Sequence, residues 1–212
     1  MASVGSRPSL SIVPLENVTS NSQTSPLLAL STSTVDRGRI EAAMHAAVVT
    51  PDDYLTEIAS HLIVAGGKRL RPVLSTVAAQ IGGDQASDDV VRGGVSCELV
   101  HLGSLYHDDV MDEADTRRGV ETVNAKWGNL QAILAGDFLL SRASALAASL
   151  GTEVAGLLAR TIGWLCEGQI EELRFTYDVE RTEASYYASI HGKTASLYGT
   201  AARIGGIVAG HD

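Results

Sequence analysis

From about Val35 onward, apolar residues recur at three- and four-residue intervals, with breaks at Thr50-Pro51, Gly66-Gly67, Gly82-Gly83, Gly119 and Gly151. That spacing belongs to amphipathic helices separated by chain reversals. Helices are expected over about 69–81, 86–112, 125–149, 152–176 and 183–209, and no stretch alternates with the period of two that a half-buried strand needs. The fold class is therefore all-α. An earlier helix buries Leu55, Ile58, Leu62 and Ile63, and its start is expected at Thr50, with Pro51 in the first helical position and Asp52 and Asp53 in the first turn. The segments 86–112 and 152–176 carry few charges around their whole circumference, which predicts central helices enclosed by others.

Residues 1–34 break this pattern. They hold thirteen Ser or Thr, three of the five prolines, and only Arg7 and Glu16 as ionisable side chains. Too little apolar surface is available there to offset the entropy of ordering, so a disordered leader is expected over 1–34 and a helical domain over 35–212. The apolar content of 45% suits one folded domain, and a net charge of -9 excludes a sequence-independent nucleic-acid binder, which needs a surplus of Lys and Arg on one face. Cys97 and Cys166 lie in apolar helical surroundings without metal-type spacing and are expected to be buried free thiols. No run of about 18 consecutive apolar residues and no cleavable leader is present, and the expected location is cytoplasmic.

Three aspartates interrupt an apolar run as Asp108-Asp109-Val110-Met111-Asp112. Asp108 and Asp112 are one helical turn apart and share a face with His101, so two carboxylates project together at the end of an otherwise buried helix. Such a pair repels unless a cation joins it, and Mg²⁺ is commonly held by one or two carboxylates plus substrate phosphate oxygens. The scarce cations cluster too, as Lys68 and Arg71 in Gly66-Gly67-Lys68-Arg69-Leu70-Arg71-Pro72 and as Arg117-Arg118 just after the aspartates. Each cluster suits diphosphate oxygens. Neither Gly67-Lys68 nor Gly192-Lys193-Thr194 completes a nucleotide phosphate loop, because the required earlier glycine is Leu62 in one and Tyr187 in the other. His191 to Thr194 is better read as a helix interruption that offers Lys193 and Thr194 to an anion.

In order and spacing, Gly66 to Pro72, His101 to Gly119 and His191 to Thr194 together resemble the trans-isoprenyl diphosphate synthases, or polyprenyl synthetases, from about residue 36 to the C-terminus. Ala135-Gly136-Asp137-Phe138-Leu139 and Gly168-Gln169 resemble family positions on later core helices. The resemblance implies an isoprenoid-synthase-type bundle of helices around a central cavity. It also implies a Mg²⁺-assisted reaction in which an allylic diphosphate ionises, isopentenyl diphosphate attacks through its double bond, and a proton is lost. Asp108 and Asp112 would bind the metal, with Asp109 and Lys193 completing the catalytic group. Arg117, Lys193 and Thr194 would hold the allylic diphosphate, while Lys68, Arg71, His101 and Arg118 would hold isopentenyl diphosphate. In the family, bulk just before the first aspartate limits product length. Gly103 and Ser104 stand there, which implies a product longer than C20. A homodimer is implied, without nucleic acid or a membrane span, although a long prenyl product would draw the protein toward membranes.

One family feature is not matched. The second Asp-Asp-x-x-Asp cluster of the family has no counterpart after Asp112, and Asp178, Glu180 and Glu183 do not reproduce it. The expectation is a partial chain lacking its C-terminal helices, weakly active or inactive alone and inclined to self-associate through exposed apolar faces. A short subunit completed by a partner chain, and a helical interaction module without catalysis, are the other two readings.

Overall fold

The computed structural model describes residues 31–83 and 85–211, so the leader expected over 1–34 lies outside the described residues as far as residue 30. The first helix, α1 (Ser31–Val48), begins at Ser31. It is followed by α2 (Asp53–Val64), α3 (Leu70–Ala79), a 3-10 turn at Gln80–Gly82 and α4 (Asp88–Met111). A two-stranded hairpin, β1 (Thr116–Arg117) and β2 (Val120–Glu121), leads to α5 (Val123–Trp127), α6 (Asn129–Ser149), α7 (Thr152–Arg174), α8 (Glu183–Ile190) and α9 (Ser196–Val208). The all-α expectation holds, with the hairpin as its one small exception.

Local chemistry explains the boundaries. The start of α2 corrects the sequence expectation: Asp52, not Thr50, is the cap, its Oδ1 accepting from the Tyr54 and Leu55 amides at 2.9 and 3.3 Å. Thr50 spends its hydroxyl on the Asp52 carbonyl at 2.8 Å, which leaves Pro51 outside the helix. Ser87 caps α4 by accepting from Val90 N, with Asp88 and Asp89 favourably placed in the first turn. The helix expected over 125–149 divides at Gly128, whose φ of 92° suits glycine, into α5 and α6.

Helix α4 is the axis, packed by α1, α3, α6 and α9. Val95, Leu99, Val100 and Leu102 are fully buried on it, each worth about 1.5–3 kcal/mol relative to exposure. The Tyr106 hydroxyl, also buried, donates to the Ile58 carbonyl at 2.8 Å and ties α4 to α2. Against α6 the approach is backbone to backbone: a Cβ on Gly103 would stand 2.9 Å from the Gly136 carbonyl oxygen, and one on Gly136 would stand 2.4 Å from His107 Nε2.

Helix α7 departs from expectation. It buries one stripe, Val154, Leu157, Leu158, Thr161 and Gly168, and leaves Trp164, Ile170 and Leu173 exposed among the described residues. Cys166 lies on this outward side and is exposed, not buried, whereas Cys97 is fully buried and its thiol is pushed up to about 12 by burial. Helix α6 is long and apolar enough to cross a membrane by composition; one stripe, Ala132, Ala135, Gly136, Leu139 and Ala143, is buried against the bundle, while Leu130 and Leu134 are exposed.

Candidate diphosphate and metal site

The last two turns of α4 carry the acidic cluster. Asp108 is half-buried, and burial pushes its carboxyl above the usual range; Lys193 opposes that shift while Asp112 and Asp109 add to it. Asp112 caps the helix and is exposed, its amide bonded to the Asp108 carbonyl at 2.8 Å. These two aspartates and His101 keep the common face expected of them. Asp109 does not join them. It is buried and accepts from Arg117 Nε at 2.5 Å, so it serves as a counter-ion inside the protein.

That pairing depends on a chain reversal invisible in the hydropathy pattern. Glu113 has a φ of 50°, after which the hairpin pairs Thr116 with Glu121 and Arg117 with Val120. Its two loop residues, Arg118 and Gly119, have φ of 55° and 79°, the positive pair that a type I′ connection demands. Folding back brings Arg117 to Asp109 and sends Arg118 to the α2–α3 loop, where it donates to the carbonyls of Leu62 and Gly66.

In that loop Lys68 is exposed, with no carboxylate partner within ion-pair reach among the described residues. Arg71 is buried, lies 3.9 Å from Glu98 and stacks on the Tyr198 ring at 4.5 Å. His101 sits among these cations, and burial together with Arg71, Arg118, Arg117 and Arg69 pushes its ring down to about 3, so it is neutral. Sequence reading passed over two members of this group. Glu98 is buried between Arg69 and Arg71, and burial raises its carboxyl against the pull of both. Arg69 is fully buried and forks onto Glu41 at 2.8 and 3.1 Å. A lone acid inside the apolar run of α4 was the available signal for Glu98.

On the opposite wall, one π-helical turn, His191–Ala195, separates α8 from α9, as the interruption expected there required. Such single-turn insertions recur at functional sites. Its position is fixed by glycine contact: a Cβ on Gly168 would stand 2.4 Å from Lys193 N, and one on Gly192 2.8 Å from the Trp164 carbonyl. Lys193 then meets Glu172 at 2.5 Å and is the foremost cation acting on Asp108. Thr194 is exposed on the same turn. Ser104, one turn before Asp108, lies on the His101 face and bonds to the His101 carbonyl at 2.8 Å. Gly103 instead abuts α6, and this helix contact requires a small residue there.

A recess of about 590 Å³ lies between α7 and α9, lined by Leu157, Trp164, Glu171, His191 and Arg203 among others. None of the expected site side chains except the Gly192 neighbourhood borders it. Charge and donor chemistry, not the size of a hollow, locate the site.

Comparison with known proteins identifies the family. The Polyprenyl synthetase family matches residues 52–212. Nonaprenyl diphosphate synthase of Mycobacterium tuberculosis is 43% identical over 172 residues, covering 81% of this chain and 51% of that protein. Heptaprenyl diphosphate synthase component 2 of Geobacillus stearothermophilus is 39% identical, covering 82% and 55%. Among solved structures, a decaprenyl diphosphate synthase from Rhodobacter capsulatus superposes with a TM-score of 0.82 at 33% identity, covering 89% of this chain and 58% of that one. A polyprenyl synthase from Caulobacter crescentus, complexed with calcium and isoprenyl diphosphate, gives 0.82 at 32% identity, covering 89% and 57%. The chain thus spans about half the length of the curated relatives it matches. With Asp108 and Asp112 presented on one helical face, cations gathered around them and a family match running from residue 52 to residue 212, this chain belongs to the polyprenyl synthetase family.

Proposed function

We propose that the chain carries the first aspartate-rich half of a Mg²⁺-dependent polyprenyl diphosphate synthase, which joins isopentenyl diphosphate head-to-tail to an allylic diphosphate and makes a product longer than C20. The observation that carries this reading is the acidic pair at the end of α4 facing a lysine and a set of arginines in one region. The names of its relatives, nonaprenyl and heptaprenyl diphosphate synthase, support the long product.

The donor set fits magnesium. Among the described residues no three His, Cys, Asp or Glu form a closed metal cage. Mg²⁺ commonly takes one or two carboxylates and leaves its other positions to water and phosphate, which is what Asp108 and Asp112 offer. When bound, the ion would neutralise charge on the departing diphosphate. The chain's own groups divide the remaining work. Arg117, aimed by Asp109, and Lys193 with Thr194 would grip the allylic diphosphate; Lys68, Arg71 and Arg118 would grip that of isopentenyl diphosphate. His101, being neutral, would contribute a hydrogen bond rather than a charge. Each unit-charge contact at about 4 Å is worth ~4 kcal/mol at an effective dielectric near 20, against ~1 kcal/mol in water, so partial burial of this group is essential.

Exposed Leu130, Ile133 and Leu134 on α6 form an apolar face that a second copy would cover, in keeping with a homodimer. Free thiols at Cys97 and Cys166 suit the reducing cytoplasm in which we place the protein. The name "component 2" borne by the Geobacillus relative favours a second reading, a subunit completed by a different chain. Copurification would separate the two.

Calorimetric titration of an allylic diphosphate, with and without Mg²⁺, tests the site. Wild type should bind at least tenfold more tightly with the metal, and Asp108→Asn should abolish that difference. Equal affinity in all four titrations rejects the proposal.

A further inference from the structure

Arg69 touches no solvent, its side chain being 0% exposed, so it cannot reach a ligand. Its surroundings are nevertheless built with unusual care. Its backbone adopts a φ of 50°, uncommon for a side chain of this size, at the cap of α3. Strained backbone of this kind persists where neighbouring contacts over-determine it. Those contacts are Nε and Nη2 forked onto Glu41 of α1, and Nη2 donating to the Ile63 carbonyl at 2.8 Å. Nη1 faces Glu98 of α4 at 3.7 Å, and the same carboxylate lies 3.9 Å from Arg71. A buried guanidinium is tolerated only when paired, and the chain Glu41, Arg69, Glu98, Arg71 supplies alternating partners from α1 to α4 and back to α3.

The glycine loop is wrapped on this strut. A Cβ on Gly67 would stand 3.1 Å from Arg69 Nη1 and 2.9 Å from Arg118 Nη1, so the loop passes between two guanidiniums with no room for a side chain. Arg69 and Arg118 together occupy the carbonyls of Leu62, Ile63 and Gly66. Arg69 Nη1, Arg71 Nε and Glu98 Oε2 are all buried without a hydrogen-bond partner. Buried groups of this kind are rare, and here they converge beside His101 and Arg71.

We infer that Glu41, Arg69 and Glu98 are positioning residues of the isopentenyl diphosphate site, through which α1 sets the aim of Arg71, Arg118 and the Gly66-Gly67-Lys68 loop. This rests on the function proposed above. Glu41 lies outside residues 52–212, the stretch matched to the family, and none of the three residues contacts the diphosphate in that proposal.

The sign of one substitution separates positioning from charge. Glu41 is an anion on the cationic site, so Glu41→Gln acting through charge alone would tighten diphosphate binding. Acting through the strut, it loosens Arg69 and weakens binding. The side chain of Glu41 is 39% exposed, so the variant should fold.

The experiment titrates isopentenyl diphosphate into the 212-residue chain and into Glu41→Gln, Arg69→Lys, Arg71→Ala and Glu57→Gln, with thermal midpoints recorded for each. Wild type should bind and Arg71→Ala should not. Glu41→Gln should bind three- to tenfold more weakly, and Arg69→Lys at least tenfold more weakly, because lysine keeps the charge but lacks the fork. Glu57→Gln, which removes the same charge from the surface pair with Lys126, should bind as wild type. Affinity for an allylic diphosphate with Mg²⁺ should stay within twofold in Glu41→Gln. Unchanged or tighter binding by Glu41→Gln, full rescue by Arg69→Lys, or an equal loss of allylic affinity overturns the positioning role. Unfolding of Glu41→Gln does so too, by assigning the pair to stability. Failure of wild type to bind overturns the proposed function first and this inference with it.

Discussion

Two glycines on one helix should respond oppositely to the same added methyl. A Cβ on Gly168 would stand 2.4 Å from Lys193 N, 2.8 Å from Gly192 C and 2.8 Å from the Ser189 carbonyl oxygen, all backbone atoms that cannot swing aside. Overpacking of this kind costs about 1–3 kcal/mol, and alanine's better helix propensity offsets at most about 1 kcal/mol of it. The net loss is about 1–2 kcal/mol, or a thermal midpoint lower by about 2–8 °C in a chain of this size. At Gly163, also on α7, an added Cβ would meet nothing within 4 Å. There Gly163→Ala should gain about 0.5–1 kcal/mol and raise the midpoint by about 1–4 °C. Differential scanning calorimetry reads both. Because relief at residue 168 must push the π-turn outward, Gly168→Ala should also weaken Mg²⁺-dependent binding of an allylic diphosphate, while Gly163→Ala leaves it unchanged. A Gly168→Ala protein as stable as wild type would show that α7 and the π-turn are not in contact, and the placement of Lys193 would fall with it.

Other perturbations test separate parts of the site. His101 is held near 3 against an ordinary value of about 6.5, so it contributes stability above pH 6.5 that is lost as pH falls toward 3. His101→Gln should flatten the fall in thermal midpoint over that window, and an unchanged profile would contradict the neutral ring. Asp109→Asn leaves Arg117 without its counter-ion and should cost about 3 kcal/mol, the low end for a broken buried pair because Arg117 is 27% exposed; a midpoint within 2–3 °C of wild type would refute it. Gly103→Phe should unfold or severely destabilise the chain by prising α4 from α6, whereas Ser104→Phe should fold and shorten the prenyl product. A folded Gly103→Phe protein, seen by circular dichroism, would show that the α4–α6 contact does not require a small residue at 103.

What the sequence made legible was local. His101, Ser104, Asp108 and Asp112 share a face because a helix repeats every 3.6 residues, and that arrangement needs no tertiary information. The break at His191 was likewise visible, since a glycine and a polar pair interrupt an apolar helix. Apart from the Thr50 cap, the misread residues depend on partners outside their own helix. Asp109 looks like its neighbours until the hairpin returns Arg117 to it, and the only local sign of that hairpin was Arg118-Gly119. Gly103 is small for reasons found 33 positions later at Gly136, and Glu41 meets Arg69 across 28 positions. Cys166 sits in an apolar stretch, but which side of α7 is covered depends on helices elsewhere.

The arrangement of charges also explains how an acidic chain could hold anionic substrates. Arg69, Arg71, Arg117 and Lys193 each have a carboxylate partner, and Arg118 has carbonyls. On the proposed function, diphosphate binding by Arg71, Arg117, Arg118 and Lys193 would be an exchange of partners, in which charge-assisted bonds of about 1.5–3 kcal/mol are given up as others form. Not every partner can be exchanged. The side chain of Asp109 is 2% exposed, so leaving it unpaired would strand a buried charge, and Arg117 stays anchored while its remaining donors reach outward. Glu172 is 42% exposed and can return to water, so among the paired cations Lys193 is the one whose partner is given up at least cost. Moving Lys193 strips Asp108 of its foremost favourable cation just as more negative charge arrives. On the function proposed above, an added cation at Asp108 and Asp112 would offset both effects, so Mg²⁺ should be required for binding as well as for the chemical step.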